Sequence, residues 1–444
     1  MKSNATIHIL HFGPLIDQKI EVSPFMIFTG NSGLGKSYAN YLVYYLMRIF
    51  SGTDSLILSL VSKKLKIREN QNSTLMEITL NEIESSINNN VENFMRAFLG
   101  DDRLKCDVKY HFTDDTINDR TLRIQFSLSE HNQKLGEELF HIVQTNTKIN
   151  EEIAGKEMYM AESNTKEVIA SIITRNVLVF LQNRIFGQNI GRAVILPPAR
   201  GAIVGESFSL KDSVTASCKM YEYFLKDYDL ALRSVSIHML SKENQDSSFF
   251  VNRVKELLHG DIISDKGIQY LELIGGKRIP LTAAASSIKE LSPFLFFLKN
   301  RSTSKLSFCI EEPEAHLHPS MQIDLADMIA ACRNKGMFFQ MTTHSDYFIH
   351  RINQLLQLGN LRRQNKDVYE KLQAELKLNH RFYLNEEDVI CYYFYQETDV
   401  DSVIIEQLKI TEGVLPMNTF YAASGALVDF ERKLIDVEDS LNNG

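Results

Sequence analysis

The 444-residue sequence has no tryptophan, nine prolines and only five cysteines. Cys106, Cys218, Cys309, Cys332 and Cys391 are odd in number and scattered, and no two form a C-x-x-C pair. That pattern excludes a disulfide-framed scaffold and a cysteine zinc site, and it fits reduced thiols in a cytoplasmic protein. Long apolar runs are missing too. The most apolar stretch, Tyr38 to Phe50, is 13 residues long and contains Arg48. A bilayer needs roughly 20 apolar residues, so no membrane association is expected. No apolar leader precedes the first strand-like residues, which also points to a soluble, cytoplasmic chain. Nor does one sign of charge dominate, since 48 Lys and Arg face 56 Asp and Glu for a net charge of −8. Any nucleic-acid contact must therefore use a local patch, and the clearest basic run is Lys63-Lys64-x-Lys66-x-Arg68. What is present is ordinary globular composition, 44% hydrophobic and 23% charged, over a length that suits two to three domains.

Residues 6–23 read as two strands joined by a turn at Gly13-Pro14, followed by the continuous apolar run Phe25-Met26-Ile27-Phe28. A strand apolar at every position is covered on both faces. It leads into Gly30-Asn31-Ser32-Gly33-Leu34-Gly35-Lys36-Ser37 and then an almost wholly apolar, hence buried, helix to Phe50. The middle of the chain loses this regularity. Its clearest helix starts at Asn164, with Glu167 as capping-box partner, carries the stripe Val168, Ile169, Ile172, Ile173, Val177, Phe180 and Leu181, and stops at Gly187. From about 267 strands return. A hairpin turns at Gly275-Gly276, and two buried runs, Leu306–Ile310 and Met337–Thr342, end abruptly in Glu311-Glu312 and Thr343-His344.

Gly30 to Ser37 matches G-x-x-x-x-G-K-[ST] between a buried strand and a helix, the context this motif requires. The glycines let the backbone wrap phosphate with its N–H groups pointing inward, and the helix N-terminus adds partial positive charge. Lys36 is then placed to meet the β- and γ-phosphates of ATP, and the Ser37 hydroxyl to bind Mg²⁺. Glu311 and Glu312 are paired carboxylates at the carboxyl end of a buried strand, the ligand edge of a parallel sheet. In such a site Glu311 holds Mg²⁺ through water, and Glu312 orients and deprotonates the attacking water.

The stretch Glu311-Glu312-Pro313-Glu314-Ala315-His316-Leu317-His318-Pro319 resembles the extended Walker B segment of ABC-type ATPases of the overcoming-lysogenization-defect (OLD) class, relatives of the SMC ATPases. The resemblance covers about residues 1–50 and 190–350. It implies composite sites, in which a signature segment of one protomer caps the nucleotide of another, and hence a homodimer or higher oligomer. The matching segment is Thr282 to Leu291, where Ser286 is kept and Ser287 stands where relatives carry glycine, so hydrolysis is expected to be slow. His344 resembles the switch histidine that contacts the γ-phosphate. Leu196-Pro197-Pro198-Ala199-Arg200-Gly201 resembles the class's P-x-x-R segment, and Arg200 is open between phosphate, protomer interface and a structural salt bridge. His316 and His318, two apart, are poor co-ligands and read as structural.

The expected fold is α/β, an ABC-type P-loop NTPase head with a largely helical insertion between its halves. Residues 1–50 form the first half, 51–190 the insertion, 191–202 a returning strand, and 203–265 the insertion's second part. Residues 266–350 form the second half and 351–444 a mixed α/β extension. Nuclease-bearing relatives append a Toprim domain. The last 94 residues are short for one, and Glu386-Glu387-Asp388 and Asp399-Val400-Asp401 read as solvated surface. A head without its own effector resembles the ATPase subunits of bacterial anti-phage systems such as Septu, which work with a separate nuclease. The alternatives are a DNA repair or maintenance ATPase that clamps DNA directly, and a nucleotide-gated scaffold with little turnover.

Overall fold

Phe25-Met26-Ile27-Phe28 is apolar throughout because its strand lies inside a sheet with both faces covered. The computed structural model describes residues 4–65, 74–113, 121–130, 138–145, 159–160, 165–205, 218–238, 245–265, 268–301, 306–397, 402–416 and 425–435. The chain begins with β1 (Ala5–Phe12), β2 (Leu15–Glu21), β3 (Phe25–Gly30) and α1 (Lys36–Phe50). Next come α2 (Leu56–Lys64), β4 (Thr74–Thr79), α3 (Leu80–Leu99), β5 (Cys106–Phe112), β6 (Thr121–Glu130), β7 (Glu138–Thr145), β8 (Tyr159–Met160) and α4 (Thr165–Phe186). β9 (Arg192–Leu196), α5 (Arg200–Gly205), α6 (Lys219–His238), α7 (Gln245–Leu258), β10 (Gly260–Asp265), β11 (Ile268–Leu273) and β12 (Arg278–Pro280) follow. The last part holds α8 (Ser286–Arg301), β13 (Leu306–Glu311), α9 (Pro319–Arg333), β14 (Phe338–Thr342), α10 (Asp346–Gln364), α11 (Lys366–Glu375), β15 (Val389–Gln396) and β16 (Val403–Leu408).

The central sheet has the order β16-β15-β3-β14-β13-β9. All its pairings are parallel except β15 with β16. Every residue of β3, β13 and β14 is buried, and α1 packs across them. Register fixes the site: Phe28 pairs with Thr342, and Thr342 with Glu311. The carboxyl ends of the three strands therefore share one edge, the position where open α/β sheets bind ligands. This is the α/β P-loop head expected from the sequence.

The interval 51–190 differs in content from the largely helical insertion expected of it. It does carry the long helices α3 and α4, and Ile169, Ile173, Val177 and Leu181 of α4 are buried in the core. Asn164, the expected cap, lies outside the described residues. But its described residues also hold five strands. β4, β6, β7 and β8 form an antiparallel sheet, and β5 joins β1 and β2 in a second one. Cys-Asp-Val-Lys-Tyr-His-Phe alternates buried and exposed along β5, the period-two signal of a sheet with one wet face. Its inner face lies on α1, where the Tyr110 hydroxyl donates to the Leu42 carbonyl at 3.0 Å.

The segment 351–444 holds both helices and strands, α10, α11, β15 and β16. β15 runs parallel beside β3, and β16 completes the edge, so this segment supplies two strands of the ATPase sheet. No helix among the described residues is long and apolar enough to cross a membrane. The five cysteines are unpaired, four of them buried.

Candidate nucleotide-binding site

The loop from Gly30 to Gly35 turns on glycines with φ of 122° at Gly30, 79° at Gly33 and 86° at Gly35. Side chains resist these angles. Space excludes them as well at Gly30, where a Cβ would sit 2.1 Å from the Phe394 carbonyl oxygen of β15. Asn31, Ser32 and Gly33 are exposed, and Leu34 is half-buried. Lys36 opens α1 and is buried, its Nζ donating to the carbonyls of Gly30 (3.1 Å) and Asn31 (2.6 Å). The ammonium thus sits inside the loop, with burial pulling its pKa down to about 8 against the opposing charges of Glu312 and Glu311.

Glu311 closes the site from the other strand. Its carboxylate accepts from Ser37 Oγ at 2.5 Å, Asn40 Nδ2 at 2.8 Å and Thr342 Oγ1 at 3.1 Å. Burial pushes its pKa up and the Glu312 charge adds to this, while the three hydrogen bonds pull it down. Asn40 and Thr342 are functional neighbours that sequence reasoning missed. Asn40 had a signal: it is a polar residue in an apolar helix, three positions after Ser37 and so on the same face. The Ser37 hydroxyl and Glu311 carboxylate form an oxygen-only set, the donor chemistry that suits Mg²⁺.

Glu312 is exposed and has φ +47°, a left-handed backbone that costs about 1–3 kcal/mol for a residue with a side chain. Its N–H donates to Thr342 Oγ1 at 3.1 Å, so one threonine hydroxyl holds both carboxylate residues. His344 is exposed at the end of β14, and its backbone N–H donates to Glu314 Oε1 at 2.7 Å. Partial burial and the Lys36 charge lower the imidazole pKa, opposed by Glu312. Glu314 was absent from the candidates although it is the third carboxylate of the Glu-Glu-Pro-Glu string. It is buried, and also accepts from Thr343 Oγ1 at 2.8 Å, which makes it the anchor of the Thr343–His344 turn.

The profile of the AAA ATPase domain matches residues 5–349, most of the chain. The chain belongs to the AAA ATPase domain family. Solved structures to which this AAA ATPase is similar include the SMC head domain from Thermotoga maritima, 10% identical with a TM-score of 0.32. That similarity covers 92% of this chain and 100% of that one. An Smc head with an extended coiled coil, bound to the C-terminal domain of ScpA derived from Pyrococcus furiosus, is 12% identical with a TM-score of 0.34. It covers 96% of this chain and 98% of that one. No curated protein matches the sequence.

The remaining candidates of this AAA ATPase lie on other elements. Ser286, the first residue of α8, is exposed and Ser287 is half-buried. Among the described residues neither is hydrogen-bonded to the Gly30–Ser37 loop. Arg200 is buried and clamps backbone, donating to the carbonyls of Glu290 (2.9 Å) and Glu311 (2.8 Å), with Glu312 and Pro197 at 3.4 Å. Of the three readings open for it, the structural one fits. His318 caps α9, accepting from the Ser320 N–H at its Nδ1, which accounts for it without a metal. Among the described residues no three His, Cys, Asp or Glu side chains are grouped to hold a metal ion.

In the acidic stretch Glu387 is exposed, as expected of solvated surface, whereas Glu386 and Asp388 are half-buried. Asp388 pairs with buried Arg333 at 3.2 Å, Glu387 pairs with Arg363, and Glu386 accepts from Asn360. These carboxylates stitch the tail to α9 and α10, because the strands they precede belong to the central sheet. Asp399 and Asp401 lie outside the described residues. In the basic run, Lys64 pairs with Glu82 at 2.6 Å, and Lys66 and Arg68 lie outside the described residues.

Proposed function

We propose that this AAA ATPase binds ATP with Mg²⁺ and hydrolyses it slowly at a site completed by Ser286 and Ser287 of a second copy. We further propose that it is the cytoplasmic regulatory or sensor subunit of a bacterial anti-phage defence complex with a separate nuclease. The observation that carries the ATPase reading is the hydrogen-bonded chain Ser37–Glu311–Thr342–Glu312, which joins the phosphate loop to the backbone N–H of Glu312, a residue with an exposed side chain. Lys36 and the loop N–H groups bind and orient the β- and γ-phosphates. Mg²⁺, when bound at Ser37 and through water at Glu311, supplies charge neutralisation at the phosphates. Glu312 is placed to accept a proton from water, and His344 to hydrogen-bond the γ-phosphate. The strained turn at Glu312 keeps its carboxylate outside the Glu311 network, which leaves two adjacent acids with two roles.

The separate-effector reading is supported by the pairing of Glu386, Glu387 and Asp388 with Asn360, Arg363 and Arg333 of α10 and α9. The test is to incubate the purified chain with ATP, Mg²⁺ or Mn²⁺, and plasmid or linear DNA. ATP should bind and turn over slowly, at a rate indifferent to DNA, and the DNA should remain intact. Cutting by the single chain, lost in Glu386→Gln or Asp388→Asn, would overturn the separate effector. Turnover raised several-fold by DNA favours an ATPase that clamps DNA directly.

A further inference from the structure

We propose that Arg200 is a positioning residue that locks the signature helix α8 to the catalytic turn of the same chain, so that the two composite sites of a dimer are coupled. The inference rests on the composite-site reading above. Arg200 is 2% exposed, and its fork reaches two separate elements. On one side it holds the Glu311 carbonyl at 2.8 Å and lies 3.4 Å from the carbonyl of left-handed Glu312. On the other it donates to the Glu290 carbonyl at 2.9 Å, with the Glu290 carboxylate 3.5 Å from its Nε. Glu290 lies four residues, about one helical turn, after Ser286.

Two independent features of the same turn support a built lock. Ala199, just before the arginine, has φ +55°, a conformation that persists only where the surroundings enforce it. Just after it, a Cβ on Gly201 would lie 2.8 Å from Glu290 Oε1 and 2.9 Å from the Glu290 backbone nitrogen. The Pro197–Gly201 turn is therefore pressed onto α8 as closely as backbone allows, and α5 also packs on the Leu281–Ala283 turn that precedes the helix.

In a two-fold dimer the signature serines of one protomer face the partner's nucleotide, whereas Glu311 and Glu312 serve that protomer's own. A displacement of α8 on meeting the partner's γ-phosphate moves Glu290, and through the guanidinium the peptides of Glu311 and Glu312. Occupancy of one site is thereby felt at the base of the other. Lysine cannot replace the fork, because a point charge cannot span both elements.

The test uses Glu290→Gln and, independently, Arg200→Lys. Glu290 Oε2 has no hydrogen-bond partner, so the amide removes charge from the lock without removing a hydrogen bond there. Melting curves establish folding, titration at low protein concentration gives ATP affinity, and turnover against ATP gives kcat, KM and the Hill coefficient. Wild type should show a Hill coefficient above 1. Each variant should bind ATP within about twofold of wild type, lose about tenfold in kcat and fall to a Hill coefficient of 1. A folded Glu290→Gln protein with wild-type kcat and cooperativity overturns the proposal, even if Arg200→Lys does not fold. Wild type that hydrolyses ATP with a Hill coefficient of 1 overturns the coupling and leaves the ATPase reading standing. Wild type that fails to bind ATP removes both.

Discussion

At the carboxyl edge of the central sheet, most functional side chains are held by neighbours of the same chain. Lys36 is held by two loop carbonyls, Glu311 by three hydrogen bonds, and the His344 backbone by Glu314. At the amino end of α8, by contrast, Ser286 is exposed at the start of its helix. The first region is organised before any encounter; the second offers a hydroxyl and the partial charge of a helix terminus to whatever arrives. On the proposed reading, ATP affinity belongs to one chain and turnover belongs to two.

The sharpest way to break this contrast is Lys36→Ala. Removing the loop's ammonium should weaken ATP binding at least about a hundredfold while the melting curve stays close to wild type, measured by isothermal titration. Unchanged affinity in a folded variant removes the loop from the site. Glu312→Gln should bind ATP normally and lose about 10²–10⁴-fold in turnover, so that closed dimers accumulate in light scattering. Variant that stays monomeric with ATP bound would break the two-chain half of the argument.

Ser286→Arg sharpens it from the other side. A bulky cation at the exposed helix start should leave single-chain ATP affinity alone and cut turnover by about tenfold or more. Normal turnover would remove this segment from the site. Glu314→Leu should reduce turnover about tenfold, with Glu314→Gln restoring most of it, because the amide oxygen still accepts from Thr343 and His344. Equal losses in the two would mean that charge, not the hydrogen-bond acceptor, holds the turn. The smallest effect is expected for Ser287→Gly, which relieves crowding at the helix start and should keep or raise turnover by at most a few-fold. A large drop would show that the Ser287 side chain itself takes part.

What was legible follows from the same contrast. β3, β13 and β14 stood out because doubly covered strands are dominated by apolar residues and break off sharply into Gly30, Glu311 and Thr343. β5 was hidden because its apolar residues come only at every second place, a weaker signal in a polar stretch. Thr342 and Glu314 were not readable as site residues: their roles depend on the pairing of β14 with β13, which places Thr342 opposite Glu311. Arg200 was seen but not assigned, since its partners lie 90 and 111 residues away along the chain. Local pattern revealed the phosphate loop and the acids; register revealed how they are held.

The place of β15 beside β3 has a consequence for how the protein is made. β3 is complete when residue 30 leaves the ribosome, but its two sheet neighbours are Phe338–Thr342 and Val389–Gln396. At about 5–20 residues per second, the flank of β3 that β15 will cover stays open for roughly 20–70 s before that neighbour emerges. During that interval the phosphate loop also lacks the Phe394 carbonyl that receives the Asn31 N–H. Translation halted before Val389 would release a head with one open, sticky flank on its central strand, the kind of edge that recruits other chains.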